Sequence, residues 1–447
     1  MAEKWELSDD GTVLTLHIRE GVTWHDGEPF TAKDVKFNID EMFALQVYGA
    51  QLAERIESTE IVDDSTVVVT LTGPYGPLME TLGTQFILPR HLYEGTDYIT
   101  NPANKEGIVG TGPMKYLSYS PGQEVVLERN ADYWGGDVQV DRAVFTQIPD
   151  PNSRAEALFS GEIDEAILDP SQQGRVTRAE NMQLLTAGFF PEVQTMMYNA
   201  RNEHLADPEV RAAIFAAIDR DALVDVALSG VGLPTNGFFP DAFEWAINPD
   251  VDFAQDFPRD LDAINEALDD AGFPVGADGK RFSLRLEYIA SSTDTGAMVE
   301  LIISMLAEVG IEGVMTGNSG AIFTQKVYTD NAFDLAFLRT SLGAEPSLGV
   351  TRWYACNESN ASAANPSGVC DPELEAAANA ALTSIDRDER AAAYRDLQER
   401  AEEVMISAPL VWSIAGYPTV NSTRWQGLDE ADALYNRKPW LTMTPTP

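Results

Sequence analysis

The sequence predicts an α/β protein of mixed β-sheets flanked by helices, arranged in two or three packed lobes. Three observations point there. Strand-like and helix-like patterns interleave along the whole length. The chain has 447 residues, about three times a typical domain. Hydrophobic residues make up 44% and charged residues 23%, which is enough apolar material for real cores and too little charge for a disordered polyanion.

The elements follow in order. Residues Thr12 to Ile18 alternate as a strand, and Asp26-Gly27 marks a sharp turn. Thr31 with Asp34 three residues later has the spacing of a capping box and opens a helix. Ser65 to Leu71 forms a second strand. Gly110-Thr111-Gly112-Pro113 is a tight backbone feature, followed by strands at Met114 to Tyr119, Glu124 to Arg129 and Asp141 to Ile148. Ser153 to Ser160 reads as a short helix ended by Gly161. Longer helices are expected at Pro208 to Leu228, Asp260 to Ala271, Thr295 to Val309, Pro372 to Ile385 and Arg387 to Met405. Strands Phe282 to Ile289, Phe333 to Leu338 and Leu410 to Ile414 fall between them. The chain carries no internal repeat and no low-complexity tract.

A formal net charge of −41 repels phosphate backbones and anionic headgroups, so nucleic acid and the membrane surface are poor partners. The acids are spread along the chain, which favours a solvation adaptation over steering of cationic ligands. No segment approaches the roughly 18–20 continuous apolar residues of a membrane span. The two cysteines, Cys356 and Cys370, lie in a stretch rich in Asn, Ser, Ala and Gly. Such a pair fits a disulfide formed in an oxidising compartment; two buried thiols of a cytosolic protein are the other reading.

The residues give catalysis little footing. Four histidines (His17, His25, His91 and His204) form no zinc-spaced cluster, and no nucleophile elbow or complete phosphate loop is present. Gly110-Thr111-Gly112 is a fragment of such a loop, followed by Pro113, which has no N–H to donate. With 71 acids, close carboxylate pairs arise from composition alone. His25 beside Asp26 reads as a base with its orienter or, more simply, as a turn-stabilising pair. No catalytic residue, metal site or cofactor is assigned.

Four blocks together resemble the family 5 extracellular solute-binding proteins of ABC importers, the peptide and nickel group. The first is Ala2-Glu3-Lys4-Trp5-Glu6 with Leu16-His17-Ile18-Arg19-Glu20-Gly21-Val22 and Trp24-His25-Asp26-Gly27 through Val35. The second is Gly110-Thr111-Gly112-Pro113 with Glu128-Arg129-Asn130, Asp132-Tyr133-Trp134 and Ser160 to Asp164. Tyr198-Asn199 with Pro208 to Arg211 and Ala217 to Arg220 forms the third, and Ala271-Gly272-Phe273 with Phe333-Asp334-Leu335 the fourth. They occur in family order across nearly the whole chain. The resemblance implies a periplasmic-binding-protein type II-like two-lobed clamp that closes about a hinge on its solute. The first lobe is expected at 1–195, with an inserted subdomain at roughly 1–105. The second is expected at 196–412, and 413–447 returns to the first.

The implied role is non-enzymatic: capture of di- or oligopeptides or peptide-like solutes for a membrane permease and its ATPase subunits. An opine or other small organic acid is the alternative ligand. A hydrolase or a signalling receptor on the same scaffold is the alternative of another class. The resemblance also implies a monomer in the periplasm or elsewhere outside the cytoplasm, including a cell-surface lipoprotein. Family members carry an export signal and several dozen residues before the Ala-Glu-x-Trp-Glu block, where this chain has Met1. A chain without its signal and first strands is therefore expected.

The implied ligand-reading segment is 333–354, after strand Phe333 to Leu338. Peptide binders of the family place there an Asp for the ligand's α-ammonium. Here that position falls on Leu342 or Gly343, which leaves Glu345 as a replacement. Arg339 presents a guanidinium to a ligand carboxylate or pairs with local acids. Thr340 and Ser341 flank it, Arg352 and Trp353 offer a second wall or packing, and Tyr198 completes the candidate set.

Overall fold

Leu14, Leu16 and Ile18 are buried and the residues between them are not, so Val13–Ile18 is a strand with one apolar face. The strand Thr66–Leu71 repeats the pattern, and the two pair with Leu14 opposite Val69 and Leu16 opposite Val67. Such apolar cross-strand pairs fix the register, because a one-residue slip would expose every one of them. The computed structural model describes residues 1–46, 48–185, 192–414, 417–427 and 439–447. The chain divides into two units, Met1–Gly188 with Tyr417–Pro447, and Phe189–Gly416.

In the first unit, β1 (Ala2–Leu7), β2 (Val13–Ile18), β3 (Ile56–Asp63) and β4 (Thr66–Leu71) form an antiparallel sheet in the order β1-β2-β4-β3. Helix α1 (Ala32–Phe37) begins with the expected capping box between Thr31 and Asp34. A second sheet comprises β5 (Met114–Ser120), β6 (Glu124–Arg129) and β7 (Arg142–Thr146). Helix α2 (Pro151–Phe159) leads to β8 (Glu165–Leu168) and β9 (Met182–Leu184).

The turn at Asp26-Gly27 forms, with Gly27 at φ +95°. His25 is held by the Gly110–Gly112 loop: Gly110 N–H donates to Nδ1 at 3.2 Å, and Nε2 lies 3.0 Å from the Gly112 carbonyl. This pattern requires the neutral ring with its proton on Nε2. It also uses the Gly110 N–H that a phosphate cradle would need. Asp26 pairs with His91 at 2.7 Å and not with His25, so the two neighbours are not a base and its orienter.

Burial, opposed by the Gly112 carbonyl, holds His25 below its ordinary value. The neutral ring therefore contributes stability that is present above about pH 6.5 and lost as pH falls. Melting curves between pH 7.5 and 5.5 should show a decline that is smaller in His25→Gln.

The second unit is a six-stranded mixed sheet. Its strands are β10 (Glu192–Tyr198), β11 (Leu233–Pro234), β12 (Phe282–Ile289), β13 (Ile311–Asn318), β14 (Leu335–Ser341) and β15 (Ser407–Ser413), in the order β11-β15-β10-β14-β12-β13. The β12–β13 and β12–β14 pairs are parallel, and β10 pairs antiparallel with both β14 and β15. Helices α3 (Pro208–Ala216), α4 (Leu261–Asp270), α5 (Thr293–Glu308), α6 (Pro372–Thr383) and α7 (Arg387–Val404) belong to the same unit, and most contribute side chains to one apolar core with the sheet.

Arg211 of α3 lies in that core, 2% exposed. Its guanidinium donates to the carbonyls of Leu205, Ala206, Val404 and Met405. It thereby caps the end of α7, where Met405 turns left-handed at φ +39°. The expected helix Pro208 to Leu228 is broken: α3 stops at Ala216, and Asp219 caps a new turn through Ala222 N–H at 2.9 Å. Cys356 and Cys370 are joined in a disulfide. A loop of this length contributes about 3 kcal/mol in the chain-entropy account.

After the second unit, β16 (Tyr417–Asn421) inserts between β8 and β9 of the first. The expected boundaries at 195 and 412 fall within β10 and β15, both wholly in the second unit. The crossings themselves, 186–191 and 415–416, lie outside the described residues. Among the described residues no helix is long and apolar enough to cross a membrane.

Candidate functional site

Strand β14 begins at Leu335 and runs to Ser341, two to three residues later than the sequence suggested at each end. Asp334 lies before the strand because its carboxylate is engaged by Arg285 and Asn202. Arg339, Thr340 and Ser341 are therefore strand residues, and their directions follow from the pleat. Arg339 is opposite Gln194 and Ser341 is opposite Glu192 on β10; Glu192 is in turn opposite Ser413 on β15. Directly opposed residues of antiparallel strands project from the same face. That face thus carries Ser413, Glu192, Gln194, Arg339 and Ser341 together.

The first turn of α5 brings Asp294 to the same face. The Arg339 guanidinium lies between two carboxylates, with Nε 3.0 Å from Glu192 Oε2 and Nη1 2.5 Å from Asp294 Oδ2. Gln194 steadies Asp294 at 3.3 Å and accepts from the Thr295 hydroxyl at 3.0 Å. The Arg339, Glu192 and Asp294 side chains are 23%, 26% and 11% exposed, so all three are within reach of solvent. Burial pushes the Glu192 carboxyl up and Asp294 adds to the effect, while Arg339 opposes both. The cluster is charged, half-buried and rich in acceptors.

The other predicted positions divide by burial. Ser341 is exposed, and Gly343 and Arg352 are half-buried. Gly343 has φ +70°, and a Cβ there would press on Gly349 N at 3.1 Å, so the turn after β14 calls for glycine. Leu342 and Tyr198 are fully buried in the core, and the Tyr198 hydroxyl donates to the Arg211 carbonyl. Trp353 packs there too, donating to the Gly349 carbonyl at 3.1 Å, with the Arg352 guanidinium 4.7 Å from its ring centroid. Thr340 is buried.

Glu345, expected as a replacement for the family's Asp, is committed to partners inside the second unit. It is ion-paired with Arg390, accepts from the Tyr394 hydroxyl, and caps the short helix Pro346–Gly349 through Ser347 N–H at 2.7 Å. Burial raises its carboxyl and Arg390 opposes that. Tyr198, Leu342, Glu345 and Trp353, expected as ligand contacts, are buried in the second unit in this structure. Glu192, Asp294 and Ser413 went unremarked in the sequence, because each joins the site through strand pairing or helix packing across long separations.

Comparison with known proteins gives this geometry its context. The model of "Bacterial extracellular solute-binding proteins, family 5 Middle" matches residues 1–361. Protein XP55 of Streptomyces lividans is 30% identical over 404 residues, 88% of this chain and 72% of that protein. The dipeptide-binding protein of Escherichia coli is 25% identical over 421 residues, covering 89% and 77%. The glutathione-binding protein GsiB of Pectobacterium atrosepticum is 26% identical over 412 residues, covering 90% and 77%. Among solved structures, the oligopeptide-binding protein AppA of Bacillus subtilis, in complex with a nonapeptide, superposes with a TM-score of 0.81. It is 22% identical and covers all of this chain and 90% of that one. The α/β fold is that of the periplasmic binding proteins. With the family model matched over most of the chain and XP55 aligned over most of its length, the chain belongs to the bacterial extracellular solute-binding proteins of family 5.

Proposed function

We propose that this chain captures peptides or peptide-like solutes outside the cytoplasm. As a monomer it passes them unchanged to an ABC permease with separate ATPase subunits. The observation that carries this reading is the partly buried charged face at the end of β14, where Arg339, Ser341, Glu192 and Asp294 can engage a ligand's polar ends. Relatives named as dipeptide- and glutathione-binding proteins support it.

Metal and haem ligands are less well served, although a haem-binding protein of Haemophilus influenzae is also a relative. Residues 333–354 contain no His, Cys or Met. His25, His91 and His204 are engaged elsewhere, the last stacked on Phe282 at 4.6 Å. Native mass spectrometry of freshly purified protein should release a solute with the mass of a short peptide. A bound metal or haem mass would overturn the reading. So would an empty protein whose melting temperature no di- or tripeptide shifts.

A further inference from the structure

We infer that Asn360, on the disulfide-closed loop of the second unit, is an acceptor for N-linked glycosylation. The inference requires passage out of the cytoplasm and is independent of which solute the protein holds.

N-linked glycan transfer requires the pattern Asn-x-Ser/Thr, with x other than proline. The chain has it at Asn357-Glu358-Ser359, Asn360-Ala361-Ser362 and Asn421-Ser422-Thr423, while Pro366 disqualifies Asn365-Pro366-Ser367. The fold separates the three. Asn421 is 2% exposed, and its amide donates to the Leu158 carbonyl at 2.8 Å. Asn357 is half-buried, and its amide bridges the loop by donating to the carbonyls of Ala361 and Asn365, each at 3.0 Å. Neither amide can react without breaking the contacts that hold its segment. Asn360 is exposed, and its side chain makes no hydrogen bond among the described residues.

A second observation, independent of the pattern, is how the loop offers this residue. Residues 358–363 are all exposed, whereas 365–367 are buried. That base is pinned: Ala200 N–H donates to the Ser367 carbonyl at 3.0 Å, and Arg201 Nη1 to the Pro366 carbonyl at 2.9 Å. The Cys356–Cys370 disulfide closes the loop and belongs to an oxidising compartment. A bulky polar group on this tip displaces no packing. Asn360 turns left-handed at φ +55°, which Asn accepts more readily than most residues. Glu358, exposed two residues before it, gives a basic patch on a transferase an anion to pair with. The same position is Ala355 before Asn357 and Thr419 before Asn421.

The donor is a glycan joined through its C1 to a polyprenyl phosphate. Asn360 Nδ2 bonds to C1 as the bond from C1 to the phosphate oxygen breaks. The phosphate leaves with the bonding pair, and Nδ2 gives up one proton to solvent. Ser362, exposed two residues on, supplies the hydroxyl that the pattern requires.

The test takes the full chain from the cells that encode it, digests it with trypsin, and places any sugar by electron-transfer fragmentation. A glycan mass on Asn360, and on neither Asn357 nor Asn421, is the expected result. Asn360→Gln and Ser362→Ala should each abolish it, and Glu358→Gln should lower its occupancy. The melting temperature of glycan-free protein should stay within about 2 °C in Asn360→Gln, so that the loss reports the acceptor and not the fold. An unmodified Asn360 in the native protein, or a sugar on Asn357, Ser359 or Ser362 instead, would overturn the assignment. Peptide capture by the same preparation tests the proposed function separately, since neither result depends on the other.

Discussion

Replacing Arg211 by methionine should destabilise the second unit by at least about 3 kcal/mol, one of the largest effects expected of any single substitution here. Methionine fills much of the volume but donates nothing. The carbonyls of Leu205 and Met405 would then lose a donor in a buried setting, and those of Ala206 and Val404 in a part-buried one. Unmatched buried acceptors cost about 1–3 kcal/mol each, and partial relaxation sets the lower bound. Two buried and two part-buried losses outweigh the benefit of no longer burying a guanidinium, because that charge is already well solvated by oxygen dipoles. For a unit of this size each kcal/mol moves the melting temperature by roughly 2–4 °C, so a fall of about 6 °C or more is expected. Differential scanning calorimetry would check it. A change of only a degree or two would show that water replaces the guanidinium at the end of α7.

Glu345→Ala should cost about 3–5 kcal/mol, because it removes the carboxylate paired with the buried Arg390 cation and uncaps Pro346–Gly349. The experiment separates the two roles this residue could play. A ligand-binding Glu345 would lower affinity and leave the empty protein as stable as before. A core Glu345 lowers the melting temperature of the empty protein, and Glu345→Ala with Arg390→Met recovers part of the loss, since an apolar pair replaces a buried ion pair at little cost. The partial recovery is the informative result; an unaltered melting temperature in the single variant would return Glu345 to the ligand.

Much of the fold was legible because many elements announce themselves locally. Thr31 and Asp34 form their capping box, β2 and β4 alternate as half-buried strands do, and α6 and α7 start where Asp371 and Asp386 cap them. Strand β10 did not announce itself. It lies between β15 and β14 and buries residues 193–198 without alternation, so Val193-Gln194-Thr195-Met196-Met197-Tyr198 carries no period-2 signal.

The site failed to show for the same reason. Arg339 was found because it stands on a recognisable segment. Its partners come from residues more than forty positions away, brought together by a register no local pattern encodes. A buried Glu and a ligand-binding Glu look alike in sequence; the Arg390 and Tyr394 contacts of Glu345 become visible only in the fold.

The central claim is that this chain is a receptor that holds a peptide without altering it. The most direct measurement incubates the protein with an isotopically labelled tripeptide library, separates bound from free, and weighs both fractions. Saturable capture of one peptide per chain, with every recovered mass unchanged, is the predicted result. New fragment masses in either fraction, or no retained peptide at any concentration, would contradict it.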